Sequence, residues 1–461
     1  MQLAKALRAS NGSRIAFVGA GGKTTALFRL ARQLPPPVLA AATTHLATHQ
    51  LKLADHHFVV ETPDEVTSLV EVTPLVEIAS LDLNRSSKSR LPGGVILLTG
   101  GRMDERTKGV DGQTLAGVLQ LANDLNCPLL IEADGSRLRP LKAPAEHEPA
   151  IPGFVDTVVV VAGLGAVGKP LTSEWVHRPE RFAALSGLGA GAPITAQALT
   201  KVLTNPAGGR KNIPPRARRV VLFNQADSPV QESWGLEMVD ALLGAFHAVG
   251  IASLERDEVF AMHERVAGVV LAAGGSRRLG QPKQLLDWQG KPLVRRVVMT
   301  ALDAGLSDVL VVTGAFAERV ELALDGLPVK IVHNPEWERG QSSSVKAGVR
   351  ALPPGAGAAL FLLADQPWVS PALIRAVVEA YARGLAPIVA PLIDGQRGNP
   401  VLFDRVTFDD FDSLTGDVGA RSLFGRYRVT WIPWHDPRPL RDVDTMEDYR
   451  RLFQDEIGVS S

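Results

Sequence analysis

Cysteine is almost absent: Cys127 is the one thiol in 461 residues. A lone thiol cannot close an intrachain disulfide or build a thiolate cage around a metal. Placed ahead of Pro128 and an apolar run, Cys127 reads as a small buried hydrophobe rather than a nucleophile. Net charge is missing too, with 49 Lys plus Arg against 49 Asp plus Glu. No surplus field draws the chain to nucleic acid or to an anionic membrane, so any phosphate binding must be local. No apolar run reaches the roughly 18 residues of a membrane span, and the opening stretch MQLAKALRASNGSR has no apolar core of signal-peptide length. A cytoplasmic enzyme with no membrane or nucleic-acid partner is expected. Internal repeats are absent, and the glycine-rich Pro353–Ala359 stretch reads as a loop between a helix and a strand.

The length exceeds one ordinary core. We expect an α/β protein of two domains, residues 1–258 and 266–461, with the junction in the charged stretch Glu255–Arg265, which shows no clear apolar face of its own.

In the first half, IAFVG leads into AGGKTT and then into the helical spacing Ala26, Leu27, Leu30, Ala31. Strand, glycine turn, Lys-Thr-Thr and helix form the context a phosphate-binding loop requires. Gly19, Gly21, Gly22, Lys23 and Thr24 are the candidates: the amides of Gly21 to Thr24 face phosphate oxygens, Lys23 neutralises them, and Thr24 offers a magnesium ligand. The usual spacing would place a glycine at position 17, where Phe17 stands, so the loop is a shortened variant. The Pro128–Ala133 run reads as a buried strand delivering Glu132 and Asp134, as a Walker B acid is delivered. RVVLFNQAD, another strand, ends in Asn224 and Asp227, the spacing of the guanine-reading N-K-x-D element with Gln225 in place of lysine. GTP or ATP is the ligand this half implies. His45, His49, His147 and His177 lack metal-ligand spacing and read as satisfied polar or phosphate-contacting groups. Lys142 is either a second anion contact or a solvated loop lysine.

These motifs, with TTHLATH at Thr43–His49, the Glu132–Pro149 stretch and HRPE at His177–Glu180, resemble the YqeC family of accessory proteins for selenium-dependent molybdenum hydroxylases. The resemblance implies a client hydroxylase of the xanthine dehydrogenase type.

In the second half, Val266, Val269, Val270 and Leu271 form a strand that opens into LAAGGSRRLGQPK. Leu271, Ala272, Ala273, Gly274, Gly275 and Ser276 supply a loop that lets phosphates and base approach the backbone, and Arg278 and Lys283 supply charge for a triphosphate. Ala359–Leu363 is a strand whose carboxyl edge carries Asp365, the first choice for a magnesium ligand. Helical spacing marks Pro292–Ala304, and strands are expected at Asp308–Val312 and Val329–Val332.

The loop resembles that of the molybdenum cofactor cytidylyltransferases, MocA-like enzymes within the MobA-like nucleotidyltransferases. The resemblance implies a Rossmann-like (GT-A-like) mixed sheet flanked by helices. It also implies CTP and molybdopterin, or Mo-molybdopterin, as substrates with Mg2+. Asn334–Gly348 matches its N-P-x-W-x-x-G-x-S-S element and assigns Ser343 to a base or ribose contact, with N-capping as the alternative use of the serines. Asp444 would complete the metal pair, the alternative being an N-cap. Asn399, in GQRGNPVLF, stands where histidine is common beside the molybdopterin side; Arg421, in GDVGAR, is the substrate-phosphate contact.

The chemistry implied is transfer of CMP from CTP to molybdopterin. Guanylyl transfer to molybdopterin and nucleotidyl transfer to a sugar phosphate stay open, as does a nucleotide-gated carrier of the molybdenum cofactor.

Overall fold

Apolar runs with no polar alternation dominate both halves, and they become strands covered on both faces, as parallel sheets require. The computed structural model describes residues 1–71, 92–276 and 279–451. Contacts divide the chain into two units, Met1–Met262 and His263–Ser461. Among the described residues no helix is long and apolar enough to cross a membrane.

The first unit is built on nine strands: β1 (Arg14–Gly19), β2 (Val38–Ala42), β3 (His56–Val59), β4 (Val95–Thr99), β5 (Leu129–Glu132), β6 (Thr157–Gly163), β7 (Arg218–Asn224), β8 (Ala248–Ser253) and β9 (Glu258–Glu264). Their order is β9-β8-β7-β6-β1-β5-β2-β4-β3. β1 pairs in parallel with β5 on one side and β6 on the other. The chain therefore winds away from β1 in both directions, and the carboxyl ends of β1, β5 and β6 border a crevice where such sheets bind ligands. Every residue of β2, β4 and β6 is buried. Cys127 lies in this core and burial pushes its thiol up to about 11, which fits an inert hydrophobe. The expected junction, by contrast, is partly a strand: in β9, Val259, Ala261 and Met262 are buried. The flanking charges had masked its alternation.

The second unit carries a mixed sheet. Its strands are β10 (Val266–Leu271), β11 (Asp308–Thr313), β12 (Lys330–His333), β13 (Ala358–Leu363), β14 (Ile388–Ile393), β15 (Gln396–Arg397), β16 (Val401–Asp404) and β17 (Val429–Trp434). The order is β12-β11-β10-β13-β16-β14-β15, with β17 paired to β14. β10 runs parallel to β11 and β13, whereas β16 is antiparallel to β13 and β14. This is the mixed Rossmann-like sheet that the second half implied. Phe361, Phe403 and Phe411 fill one layer, with Phe403 and Phe411 edge to face at 5.2 Å. The buried Tyr381 hydroxyl donates to Asp404 Oδ2 at 2.7 Å, so this polar pair inside the core is satisfied.

Two local packings set up the ligand edge. The Gln341–Arg350 helix lies so close to the sheet that a Cβ on Gly348 would stand 2.6 Å from Val269 Cγ1. A smaller cluster of Leu286, Trp288, Leu293 and Val443, with Trp368 edge to face on Trp288 at 5.2 Å, pins the Val443 segment beside the loop that follows β10.

Alanine normally stabilises a helix interior relative to glycine, but here overpacking decides the sign. Gly348→Ala is expected to destabilise the second unit by about 1–3 kcal/mol. Denaturant unfolding monitored on that unit's transition measures it; an unchanged or raised midpoint contradicts the close packing.

Candidate active site

At the carboxyl ends of β10 and β13 the second unit opens a cleft of about 380 Å³. Leu271, Ala272, Ala273, Gly274 and Gly275 line it, together with Lys283 and Asp365. The two loop glycines are needed for different reasons. A Cβ at Gly274 would meet nothing within 4 Å, leaving backbone open to the cleft, while one at Gly275 would stand 2.9 Å from the Trp337 ring. Ser276 turns inward: its hydroxyl accepts from Lys283 N at 2.9 Å and lies 3.2 Å from Gln284 Oε1. Ser276 thus shapes the loop. Gln284, which sequence reasoning missed, is buried and donates to the carbonyls of Ala272 at 3.3 Å and Gly274 at 3.2 Å. Arg278 lies outside the described residues.

Lys283 is the centre of the cleft's electrostatics. Its ammonium pairs closely with Asp365 and lies 3.2 Å from Asp444 Oδ1. Burial alone would lower the Lys283 pKa; the two carboxylates outweigh it and hold the ammonium above its ordinary value. Asp444 is positioned by its neighbour, since Val443 is fully buried and its amide donates to Asp365 O at 3.3 Å. The N-cap alternative goes to the next residue: Thr445 Oγ1 accepts from Asp448 N at 3.1 Å, while Asp448 Oδ2 accepts from Thr445 N at 2.9 Å. Asp442 is a third carboxylate here, hydrogen-bonded to Gln366; burial first, then Asp365 and Asp444, raise its pKa.

The cleft also takes in Trp337, Gln341, Ser344 and Asp417. Ser344 stands where Ser343 was expected. Ser343 instead accepts from Asn334 Nδ2 at 2.9 Å, donates to Gly340 O at 2.9 Å, and borders a separate depression. The serines do not cap the helix either, because the N-cap is Gly340. Asp417 Oδ1 accepts from Gln341 N at 3.3 Å at that helix start. Asn399 and Arg421 are not part of the cleft lining. Arg421 is exposed, and its neighbour Arg397 stacks on Phe424 at 4.6 Å.

A second cavity, of about 650 Å³, lies in the first unit and is bordered by Gly21, Gly22, Lys23, Thr24, Glu132, Asn224 and Asp227 among others. The glycine turn is largely self-satisfied. Gly19 N donates to Asp134 Oδ2 at 3.1 Å, Ala20 N to Val161 O at 2.8 Å and Gly21 N to Arg139 O at 3.1 Å. The Gly21 amide expected to face phosphate is thus already used. Lys23 is buried, donates to Gly19 O at 2.9 Å and lies 3.4 Å from Asp134. Thr24 Oγ1 donates to Glu132 Oε2 at 2.7 Å, and burial raises the Glu132 pKa. Asn224 spends both ends of its amide on backbone, donating to Gly21 O at 2.7 Å and accepting from Leu254 N at 2.9 Å. It braces the turn. Asp227 Oδ1 accepts from Ser253 at 2.6 Å.

Lys142 is neither a solvated lysine nor an anion contact: it is buried, 2.8 Å from both Asp134 and Glu148. Arg178 clasps Glu148 with two hydrogen bonds of 2.8 and 3.0 Å. Burial would raise the Glu148 pKa, but Arg178 and Lys142 prevail and hold it at about 2. Burial, then Arg178 and Lys142, lower His177 to about 4. His45 Nδ1 is 2.9 Å from Thr107 O.

Comparison with known proteins adds the context. Residues 268–430 match the MobA-like NTP transferase domain and residues 15–180 match the YqeC protein family. YqeC of Escherichia coli K12, itself uncharacterized, is 33% identical over 226 residues, covering 48% of this chain and 79% of that protein. Nicotine blue oxidoreductase of Paenarthrobacter nicotinovorans is 33% identical over 197 residues, 41% of this chain and 96% of that one. The purine catabolism protein PucB of Bacillus subtilis is 35% identical over 198 residues, 40% of this chain and 93% of that one.

His177 yields a signed pH prediction. Its pKa falls from 6.5 to about 4 on folding, so between those values the unfolded chain binds more protons. Its contribution is complete above pH 6.5 and is lost as the pH falls toward 4. His177→Gln is expected to shrink the drop in the first unit's urea midpoint between pH 7 and pH 5. An equal drop in wild type and variant contradicts it.

Proposed function

The chain belongs to the YqeC family through its first unit and to the MobA-like NTP transferases through its second, and from there we propose that it joins CMP from CTP to molybdopterin, releasing diphosphate. It is a nucleotidyltransferase; the base and the acceptor are the proposed part. The observation that carries the reading is the Lys283 ammonium held between Asp365 and Asp444 at the mouth of a glycine-lined cleft.

In the proposed reaction a terminal phosphate oxygen of molybdopterin attacks the α-phosphorus of CTP. One P–O bond forms as the bond to the departing diphosphate breaks. The nucleophile is already anionic at neutral pH, so no general base is needed. The obstacle is the meeting of two polyanions, which positioning and electrostatics relieve. Backbone from Ala272 to Gly275 borders the nucleotide, and Lys283 swings from the carboxylates onto the triphosphate, joined by Arg278. Asp365 and Asp444, already converging on one cation, fit Mg2+, which takes one or two carboxylates and completes its shell with phosphate and water. When bound it would supply charge neutralisation at the phosphates. Ser276 and Gln284 keep the loop in shape, and Ser344 replaces Ser343 as the candidate ribose or base contact. Asn399 and Arg421 remain candidates for the acceptor side.

The first unit would serve maturation of a client molybdenum hydroxylase of the xanthine dehydrogenase type. Joining both units in one chain raises the local concentration of a labile cofactor between steps.

Diphosphate release from each of the four ribonucleoside triphosphates, with Mg2+ and with or without molybdopterin, tests this. Release is expected only with CTP plus molybdopterin, and Asp365→Ala should lower turnover on the order of 100-fold or more. Selectivity for GTP moves the assignment to guanylyl transfer, and release with a sugar phosphate moves it to that acceptor. Failure of every nucleotide with authentic molybdopterin contradicts transfer and favours a cofactor carrier. The same samples assayed for oxidation or reduction of nicotine blue test the activity in the name of the Paenarthrobacter relative.

A further inference from the structure

The segment that brings Asp444 to the cleft carries a second aspartate. Asp442 and Asp444 flank Val443, and the three belong to no helix or strand. Val443 supplies the anchor: its side chain is fully buried with Leu286, Trp288 and Leu293, and its amide donates to Asp365 O at 3.3 Å. Arg438 over the Trp368 ring at 5.1 Å adds a further fastening between the same two stretches of chain. These contacts place the segment. They leave open which of its two carboxylates turns toward Asp365.

Gln366 separates them. It follows Asp365 directly, it is buried, and its Nε2 donates to Asp442 Oδ1. The carboxylate dictates how the amide points, because the reverse orientation would set oxygen against oxygen. Asp442 thus meets a neutral amide. Asp444 meets the Lys283 ammonium at 3.2 Å, the same ion that pairs with Asp365. Stability alone would not select this glutamine: its Oε1 is buried with no hydrogen-bond partner, a cost that an apolar side chain of similar size avoids.

We propose that Gln366 is a positioning residue for a divalent cation: its amide holds Asp442 away from the ion and, across Val443, keeps Asp444 facing Asp365 once Lys283 has swung onto the triphosphate. The inference rests on the reading of Asp365 and Asp444 as metal ligands. When the ammonium leaves, the amide is the partner that stays on Asp442. Without it, Asp442 is a free carboxylate two residues from Asp444 that competes for the same cation or repels its neighbours. Hydrogen-bonding partners behind a ligand set of this kind commonly govern metal affinity without touching the metal.

Mn2+ binding to the full chain, read by electron paramagnetic resonance, tests this without turnover. The signal to follow is the binding that CTP adds and Asp444→Asn removes. Gln366→Met keeps the side-chain volume and drops the amide. It is expected to weaken that binding about tenfold or more, with a melting temperature equal to or above that of wild type. Gln366→Glu sets two carboxylates together and should weaken it as well. Adding Asp442→Asn to Gln366→Glu rebuilds the pair with donor and acceptor exchanged, and should recover most of the loss. Unchanged affinity in Gln366→Met overturns the proposal, as does a loss that the double variant fails to recover. A wild type with no CTP-dependent Mn2+ signal removes the metal site itself and this inference with it. No outcome depends on which acceptor is used, so the diphosphate-release assay stands or fails separately.

Discussion

One ammonium group between two carboxylates organises the cleft edge of the second unit. Lys283 follows the glycine loop, Asp365 emerges from β13, and Asp444 arrives from the far end of the chain, yet all three converge. The ammonium is the opposite charge that both carboxylates share. The packing that enforces this is apolar: Val443, Trp288, Leu286 and Leu293 bury the segment that carries Asp444, and the Val443 amide ties it to Asp365. Hydrophobic burial thus sets where the charges meet.

The first unit handles charge in the opposite way. Lys23, Lys142, Asp134, Glu148 and Arg178 form a chain, buried at the first three and half-buried at the last two, in which each ion has an opposite neighbour. Such networks are weak sources of stability once desolvation is counted, but losing one member leaves a buried charge uncompensated, so the arrangement fixes geometry. It locks the glycine turn against β5 and β6. Lys23, which in sequence reads as a phosphate ligand, is held in that chain 3.4 Å from Asp134 and donates to Gly19 O at 2.9 Å.

Much of the fold was legible because its strands are uninterrupted apolar runs bounded by glycine and acid. The loop from Leu271 to Lys283 and Asp365 at a strand end could be read from residue type and order, whereas Asp444 came from the family resemblance. What could not be read depended on tertiary direction. Ser343 and Ser344 are adjacent in sequence and both accept from Asn334 Nδ2, at 2.9 and 3.0 Å, yet only Ser344 borders the cleft. Asn224 has the spacing of a base reader and is used by backbone groups at both ends of its amide. Gln284 carries no local signal, since it gains its place through contacts made by folding, whereas Trp337 and Asp417 lie inside the N-P-x-W and GDVGAR elements without being singled out there. The strand Glu258–Glu264 was hidden by acids at both of its ends.

The most direct test of the central cluster is Mn2+ binding by electron paramagnetic resonance on the full chain, with and without CTP. If the Lys283 ammonium occupies the position a divalent cation would take, wild type binds Mn2+ weakly alone and at least tenfold more tightly with CTP. Lys283→Ala should then bind it tightly without nucleotide, and adding Asp444→Asn should abolish that gain. A nucleotide-free affinity that does not change in Lys283→Ala contradicts the account.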